Sequence, residues 1–297
     1  MIDYQRLGQM AKGMFCCAPE WTFVARDFSS IEGVLVGWFM HSPRFIRLAK
    51  LDLHTYFMAH GLLYPDGLIT QADLPDLAWT DVDLLACFKV LKKQFKGNDD
   101  SMSPRQVAKR TGYLSLYGGT AGKMVETFPD SFSTKKIAAQ RQGAFFDLFP
   151  EIPKWHEELT TQVDKTGYVR APSGFIMRFF RVREWTKVEG KWTSKLGDSG
   201  KELIAALPQH TAAAIGRQAL RQYWNEYENY RQYLRLFIHD EILCECPIEQ
   251  ADEVDRVLQE VMERAISWLP LDPAWGLGPL LSIGSEGKRG TSWGSMT

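Results

Sequence analysis

The chain has 297 residues, 35 Lys and Arg against 36 Asp and Glu, a net charge of -1, and 45% hydrophobic against 24% charged residues. That is the composition of an ordinary soluble globular protein, long enough for two domains or one large, divided one. The near-neutral balance gives no compositional argument for a nucleic-acid partner. No run of about eighteen apolar residues, the length that could cross a membrane, occurs, the first residues lack a signal-peptide pattern, and a cytoplasmic chain is expected. The five cysteines, odd in number and without a C-x-x-C pair, fit reduced thiols better than a disulfide framework or a zinc site.

Residues 21–26 form an apolar, β-branched run that predicts a strand, ended by Asp27. The pattern breaks at Asp27-Phe28-Ser29-Ser30 and resumes with helical period over 31–40. Residues 45–100 read as helices interrupted at Tyr64-Pro65-Asp66-Gly67 and Gly97-Asn98-Asp99-Asp100. Ser103 predicts an N-cap with Pro104 at the first helical position, and that helix stops at Gly118-Gly119. Helical patterning covers 137–165 with a break at Phe149-Pro150. Residues 168–195 read as strands, with turns at Pro172-Ser173-Gly174 and Glu189-Gly190-Lys191. A helix is predicted over 209–230, then a tight hairpin in which two alternating runs flank only His239-Asp240-Glu241. A helix over 250–268 follows, and the Gly/Pro-rich tail holds one short strand near 280–283. Strands from the two ends of the chain would share one sheet, with a mostly helical insertion between them.

Asp27 and Asp240 lie more than two hundred residues apart, each where a strand gives way. Two strand-end carboxylates on one sheet make an oxygen-rich site suited to magnesium, which binds one or two carboxylates together with substrate phosphates. That is the arrangement of two-metal phosphoryl or nucleotidyl transfer. In the central helix, Arg105, Lys109, Tyr113 and Tyr117 recur every four residues and so wind along one face. A triphosphate would meet the cations and the favourable end of the helix dipole, and a base or sugar would meet a ring. Taken alone, the basic clusters Lys89, Lys92, Lys93, Lys96 and Arg170, Arg178, Arg181, Arg183 read as solvated faces.

Three blocks, in order, resemble the polymerase motifs of family A DNA polymerases, the bacterial polymerase I class and its phage relatives. They are Asp27-Phe28-Ser29-Ser30-Ile31-Glu32, Arg105-x3-Lys109-x3-Tyr113-x3-Tyr117-Gly118, and Ile238-His239-Asp240-Glu241. Weaker matches lie at Asp52-Leu53-His54, at 149–169, at Gln209-x-Thr211-Ala212-Ala213 and at Trp293. The resemblance implies an α+β right-hand fold without its thumb: an antiparallel palm carrying a large helical fingers insertion. The palm would span 1–44 and 201–297, and the fingers 45–200.

The resemblance also implies roles. Asp27 and Asp240 would hold two Mg²⁺ ions. Arg105 and Lys109 would contact the dNTP triphosphate, Lys109 as proton donor to pyrophosphate, with His54 near the phosphates. Glu32 would crowd a ribose 2′-hydroxyl, and Tyr113 would lie against the incoming sugar, the variant associated with ready acceptance of dideoxynucleotides. Tyr117, Gln209, His239, Glu241 and Lys201 would serve the primer-template DNA. The sequence departs from the family pattern at Lys201, Ala205 and His210, which puts minor-groove and template contacts there in question, and at Ser30, beside the metal site. Only about twenty-six residues precede Asp27, so a separate chain supplying the thumb, and a 3′→5′ exonuclease, is expected, the alternative being that the sequence is a fragment of a longer protein. Two other readings are a single-subunit-type RNA polymerase, opposed by Glu32, and a non-catalytic polymerase-derived DNA-binding subunit.

Overall fold

The computed structural model describes residues 12–96 and 103–296; the turn expected at 97–100 lies outside them. In chain order the main elements are β1 (Trp21–Phe28), α1 (Ile31–Phe39), α2 (Pro43–Leu51), α3 (Leu53–Phe57), a π-helical turn (Met58–Leu63) and α4 (Asp81–Gln94). Then come α5 (Pro104–Leu116), α6 (Ala121–Thr127), α7 (Lys135–Leu148), α8 (Glu151–Thr166), β2 (Tyr168–Arg170) and β3 (Ile176–Arg178). The remainder is β4 (Arg183–Val188), β5 (Lys191–Leu196), α9 (Asp198–Glu226), β6 (Leu234–Ile238), β7 (Glu241–Pro247), α10 (Ala251–Met262) and β8 (Ser285–Gly290). The α+β class expected from the sequence is what forms.

The chain divides into two compact units, Met1–Glu32 with Gln209–Thr297, and Gly33–Pro208. These boundaries differ from the expected 44/45 and 200/201. The physical reason is that α1 and α9 each run through a boundary without a loop, so no turn chemistry marks either one.

In the first unit the sheet order is β6-β7-β1-β8, with every pairing antiparallel. Strand alternation sends Val24 and Arg26 to one side and Phe23, Ala25 and Asp27 to the other. The Val24 side is covered by α10, which buries Val254, Val257, Leu258, Val261 and Met262. Buried Arg26 fixes that packing through an ion pair of 2.7 Å to Asp255. Gly216 of α9 lies against β6, where a Cβ would stand 2.5 Å from Phe237 Cζ. The opposite side carries a small apolar cluster of Phe23, Ala25, Leu243 and Trp293, and beyond it the sheet turns polar.

Two expectations for this unit need correction. The helix predicted to reach residue 268 ends at Met262, because residues 266–271 leave it to bond the tail: Ile266 N donates to Leu281 O and Leu271 N to Pro279 O. The segment 280–283 makes only an isolated bridge, Pro270 to Leu280. The tail strand is β8, whose Ser-Glu-Gly-Lys-Arg-Gly sequence lacks apolar alternation and pairs with β1 through its backbone.

The second unit is built on an aromatic core in which Phe45, Phe57, Phe88, Phe145 and Phe149 are fully buried. Ser103 caps α5 by accepting from Gln106 N at 3.2 Å, with Pro104 in its first turn. The helix stops at Tyr117, and Gly118 takes φ +69, where a Cβ would also press on Leu196 and Ile204 at 3.1 and 3.2 Å. Two hairpins, β2–β3 and β4–β5, occupy the expected β-rich region. The helix predicted from Gln209 instead begins at Asp198, passes through Pro208 and ends at Glu226. Proline normally breaks a helix interior, but buried Leu203, Ile204 and Leu207 hold the turn before it against the core. No helix of the described residues is long and apolar enough to cross a membrane.

Candidate active site

The polar side of the first unit's sheet gathers carboxylates. Asp27 stands one residue from the end of β1, directly opposite Glu241 on β7 and Glu286 on β8. Asp240 occupies the two-residue turn between β6 and β7. His239 before it takes φ +55, a region in which histidine is tolerated better than most non-glycine residues but still strained. Phe28 N donates to Asp240 O at 3.3 Å, tying the turn to the end of β1. The carboxyl of Asp240 is pushed up to about 7, first by burial, then by the charge of Asp27 beside it, with a hydrogen bond to Asp27 and the charge of Glu32 adding to the effect. Two carboxyl groups in contact cannot both ionise cheaply. They will share a proton or accept a cation.

One cation is already near. Lys288 Nζ lies 3.7 Å from Asp27 Oδ2 and 4.0 Å from Glu241 Oε2, and Trp293 Nε1 donates to Glu241 Oε1 at 3.4 Å. Among the described residues no group of three or more His, Cys, Asp or Glu forms a metal-ligating set.

The second unit assembles a different cluster. Asp52 is the N-cap of α3, accepting from Thr55 N at 3.0 Å and from Thr55 Oγ1 at 2.8 Å. Arg105 Nη2 reaches both its oxygens, at 3.2 and 3.1 Å, and Lys92 Nζ lies 3.2 Å away. The Asp52 side chain is only 6% exposed. Burial opposes its ionisation, yet Arg105, the Thr55 hydrogen bonds and Lys92 outweigh burial and hold its carboxyl below the ordinary range.

His54, next along α3, is lowered to about 4 by burial, with Arg105 and Lys109 opposing its protonation and Asp52 favouring it. Its Nδ1 is buried without a hydrogen-bond partner among the described residues, and it faces α5 at Gly112, where a Cβ would stand 3.6 Å away. Lys109 is exposed. Tyr113, 48% exposed, meets Tyr117 edge to face with ring centroids 5.0 Å apart.

The structure thus brings together Asp27, Asp240, Glu241 and Glu32 in one unit, and His54, Arg105, Lys109, Tyr113 and Tyr117 in the other. His239 shapes the turn and is itself exposed. Gln209 is exposed on α9, and Lys201 pairs with Asp198 of its own helix at 2.8 Å. Sequence reasoning missed Lys288, because β8 has no readable strand pattern. It read Lys92 as part of a solvated face, whereas Lys92 pairs with Asp52, which was visible only as a weak match. The expectation that Arg105 is held ready for a phosphate needs an addition: its guanidinium is already engaged by Asp52 and Thr55.

Residues 80–281 match the description DNA polymerase family A. The chain belongs to this family. The matched stretch includes the α5 stripe and the Asp240 turn of this family A chain and leaves Asp27 outside. Relatives include the thermostable DNA polymerase I of Thermus aquaticus, 24% identical over 276 residues and 92% of the chain, and the DNA polymerase of Mycobacterium phage D29, 27% identical over 195 residues and 65% of the chain. The chain spans 28% of the first relative's length and 26% of the second's. Among solved structures, the POL domain of Pol1 from M. smegmatis, in complex with DNA primer-template and dNTP, superposes with a TM-score of 0.64 at 16% identity. It covers 99% of this chain, which covers 44% of it, and the likeness establishes a shared fold.

Proposed function

We propose that this chain carries the nucleotidyl-transfer centre of a template-directed DNA polymerase, adding dNMP to a primer 3′-hydroxyl. The observation that carries the reading is the contact between the Asp27 and Asp240 carboxyl groups, with Asp240 pushed up to about 7. Such a pair at the junction of β1 and the β6–β7 turn, with Lys288 only at the outer limit of an ion pair, fits a divalent cation. Asp27 and Asp240 are the residues that would hold two Mg²⁺ ions, which when bound would lower the pKa of the primer hydroxyl and neutralise charge on the triphosphate.

The chain's own residues supply the rest. Arg105, fixed in direction by Asp52, offers a pre-oriented fork for phosphate oxygens. Lys109, exposed one turn further on, is the proton donor to leaving pyrophosphate. His54 stays neutral near physiological pH and adds no charge beside those cations. Glu32, whose charge is felt at Asp240, crowds the place of a ribose 2′-hydroxyl and favours dNTPs over rNTPs. Tyr113 presents its ring to the incoming sugar and Tyr117 to the template base, while Gln209, His239, Glu241 and Lys201 support the primer-template. On this reading the sheet-bearing unit is the palm and the helical unit the fingers.

Primer extension with Mg²⁺ tests the assignment: wild type extends and Asp240→Asn does not, and equal extension removes it. Replacing dNTPs by rNTPs separates it from an RNA polymerase. Efficient dideoxy termination is expected, and equal dideoxy-to-deoxy incorporation ratios for wild type and Tyr113→Phe would contradict the role of Tyr113.

A further inference from the structure

The β4–β5 ribbon has no role in the chemistry described above, yet it displays its most apolar side chains outward. Trp185 is 56% exposed and Trp192 68%, and neither ring contacts another aromatic among the described residues. The register pairs Trp185 with Ser194 and Lys187 with Trp192, so both indoles and the Lys187 ammonium share one face of the ribbon. Diagonal neighbours on a strand pair stand about 7–8 Å apart, roughly twice the 3.4 Å between successive bases of a DNA strand. A flat base fits between two such rings.

The charge on the ribbon points the same way. Arg183 is held by Glu157 at 2.6 Å and Lys195 by Glu184 at 2.8 Å. Lys187 and Lys191 have no ion pair among the described residues, against the single acid Glu189. Two open rings with the uncommitted Lys187 on their own face, Lys191 standing opposite Val188 on the other, combine base stacking with backbone attraction, the two terms that hold single-stranded nucleic acid without regard to sequence. The ribbon is anchored rather than free to swing. The Arg183 guanidinium also bonds Thr160 at 3.1 Å and Thr161 at 2.8 Å, and Leu196 packs against Gly118, the residue after Tyr117.

We propose that the β4–β5 ribbon binds single-stranded template through Trp185 and Trp192, with Lys187 on its phosphates. The position assigned to this strand, uncopied template next to Tyr117, rests on the polymerase reading; the binding itself does not.

The test uses fluorescence anisotropy of the whole protein in EDTA without dNTP, so that no turnover occurs. A duplex with a 5′ oligothymidine overhang is compared with its blunt counterpart. Trp185→Ala with Trp192→Ala should weaken overhang binding on the order of 100-fold, about tenfold per ring, and leave the blunt duplex unchanged. Trp185→Phe with Trp192→Phe should restore most of the loss. Lys187→Gln should lower the slope of log affinity against log salt by about one, a readout available even if the alanine variant folds poorly. Unchanged overhang affinity in the alanine variant, or an unchanged salt slope in the lysine variant, overturns the proposal. So does wild-type self-association in sedimentation that the alanine variant lacks, which would make the ribbon a protein interface. Failure of the polymerase reading looks different: overhang binding through the two rings persists while no primer is extended.

Discussion

The two charged clusters of this chain solve opposite problems. On the sheet of the first unit, Asp27 and Asp240 press like charges together, with Lys288 only at the outer limit of an ion pair. On the helices of the second unit, Asp52 is enclosed by two cations and a threonine and is almost fully satisfied. The first arrangement costs stability and leaves room for a ligand of opposite sign. The second gains local order and points a guanidinium in one direction. A charge cluster advertises binding when its own charges are not balanced, not when it is merely dense.

The strongest way to break this contrast is Asp240→Asn. Because its carboxyl is raised, the folded state holds the proton more tightly than the unfolded chain, so stability should fall as pH rises from about 4 through about 7. The substitution should flatten that slope and, at pH 8 without divalent cations, stabilise the fold by about 1 kcal/mol after allowance for solvent screening. Primer extension should drop on the order of 10³-fold. Added Mg²⁺ should raise the Tm of wild type and leave the variant unmoved, as expected of a ligand that binds only the intact site. A variant that is less stable than wild type at pH 8 would mean that the two carboxylates are not in conflict.

Much of this contrast was legible in the sequence, and the legible part had local causes. The strand before Asp27, the tight turn at His239-Asp240 and the Ser103-Pro104 start of α5 each follow from side chains within a few residues. What escaped notice depended on long-range pairing. β8 has no strand signature because Gly287 and Gly290 contribute only backbone to β1, and with it went Lys288. The helix expected from Gln209 begins at Asp198 instead, since burial of Leu203, Ile204 and Leu207 overrides the usual cost of Pro208 within it. Arg105 was readable as a cation on the right face, but its engagement with Asp52 joins residues fifty-three apart, and no spacing rule connects them.

The satisfied cluster should show its nature through stability rather than through metal response. Asp52→Ala removes the cap of α3 and leaves Arg105 and Lys92 without their common partner. Because both cations are more than a third exposed, the loss should be about 2 kcal/mol, less than for a fully buried pair. Urea unfolding at constant m-value measures it. With Arg105 no longer aimed, KM for dNTP should rise more than kcat falls. A stable Asp52→Ala variant with unchanged KM would show that Arg105 needs no orientation.

The smallest effect sharpens the same comparison from the neutral side. His54 sits beside Arg105 and Lys109 with no hydrogen-bond partner for its Nδ1 among the described residues, and burial together with those cations lowers it to about 4. The unfolded chain therefore binds a proton that the folded chain refuses, so stability is fully present above about 6.5 and is lost as pH falls toward 4. His54→Gln should remove this slope, on the order of 1–2 kcal/mol across the window, while leaving the opposite slope of Asp240 in place. The two residues thus titrate in opposing senses over overlapping pH ranges. Wild type should show a shallow stability profile between pH 4 and 7, and each single variant should expose the slope that the other residue had masked.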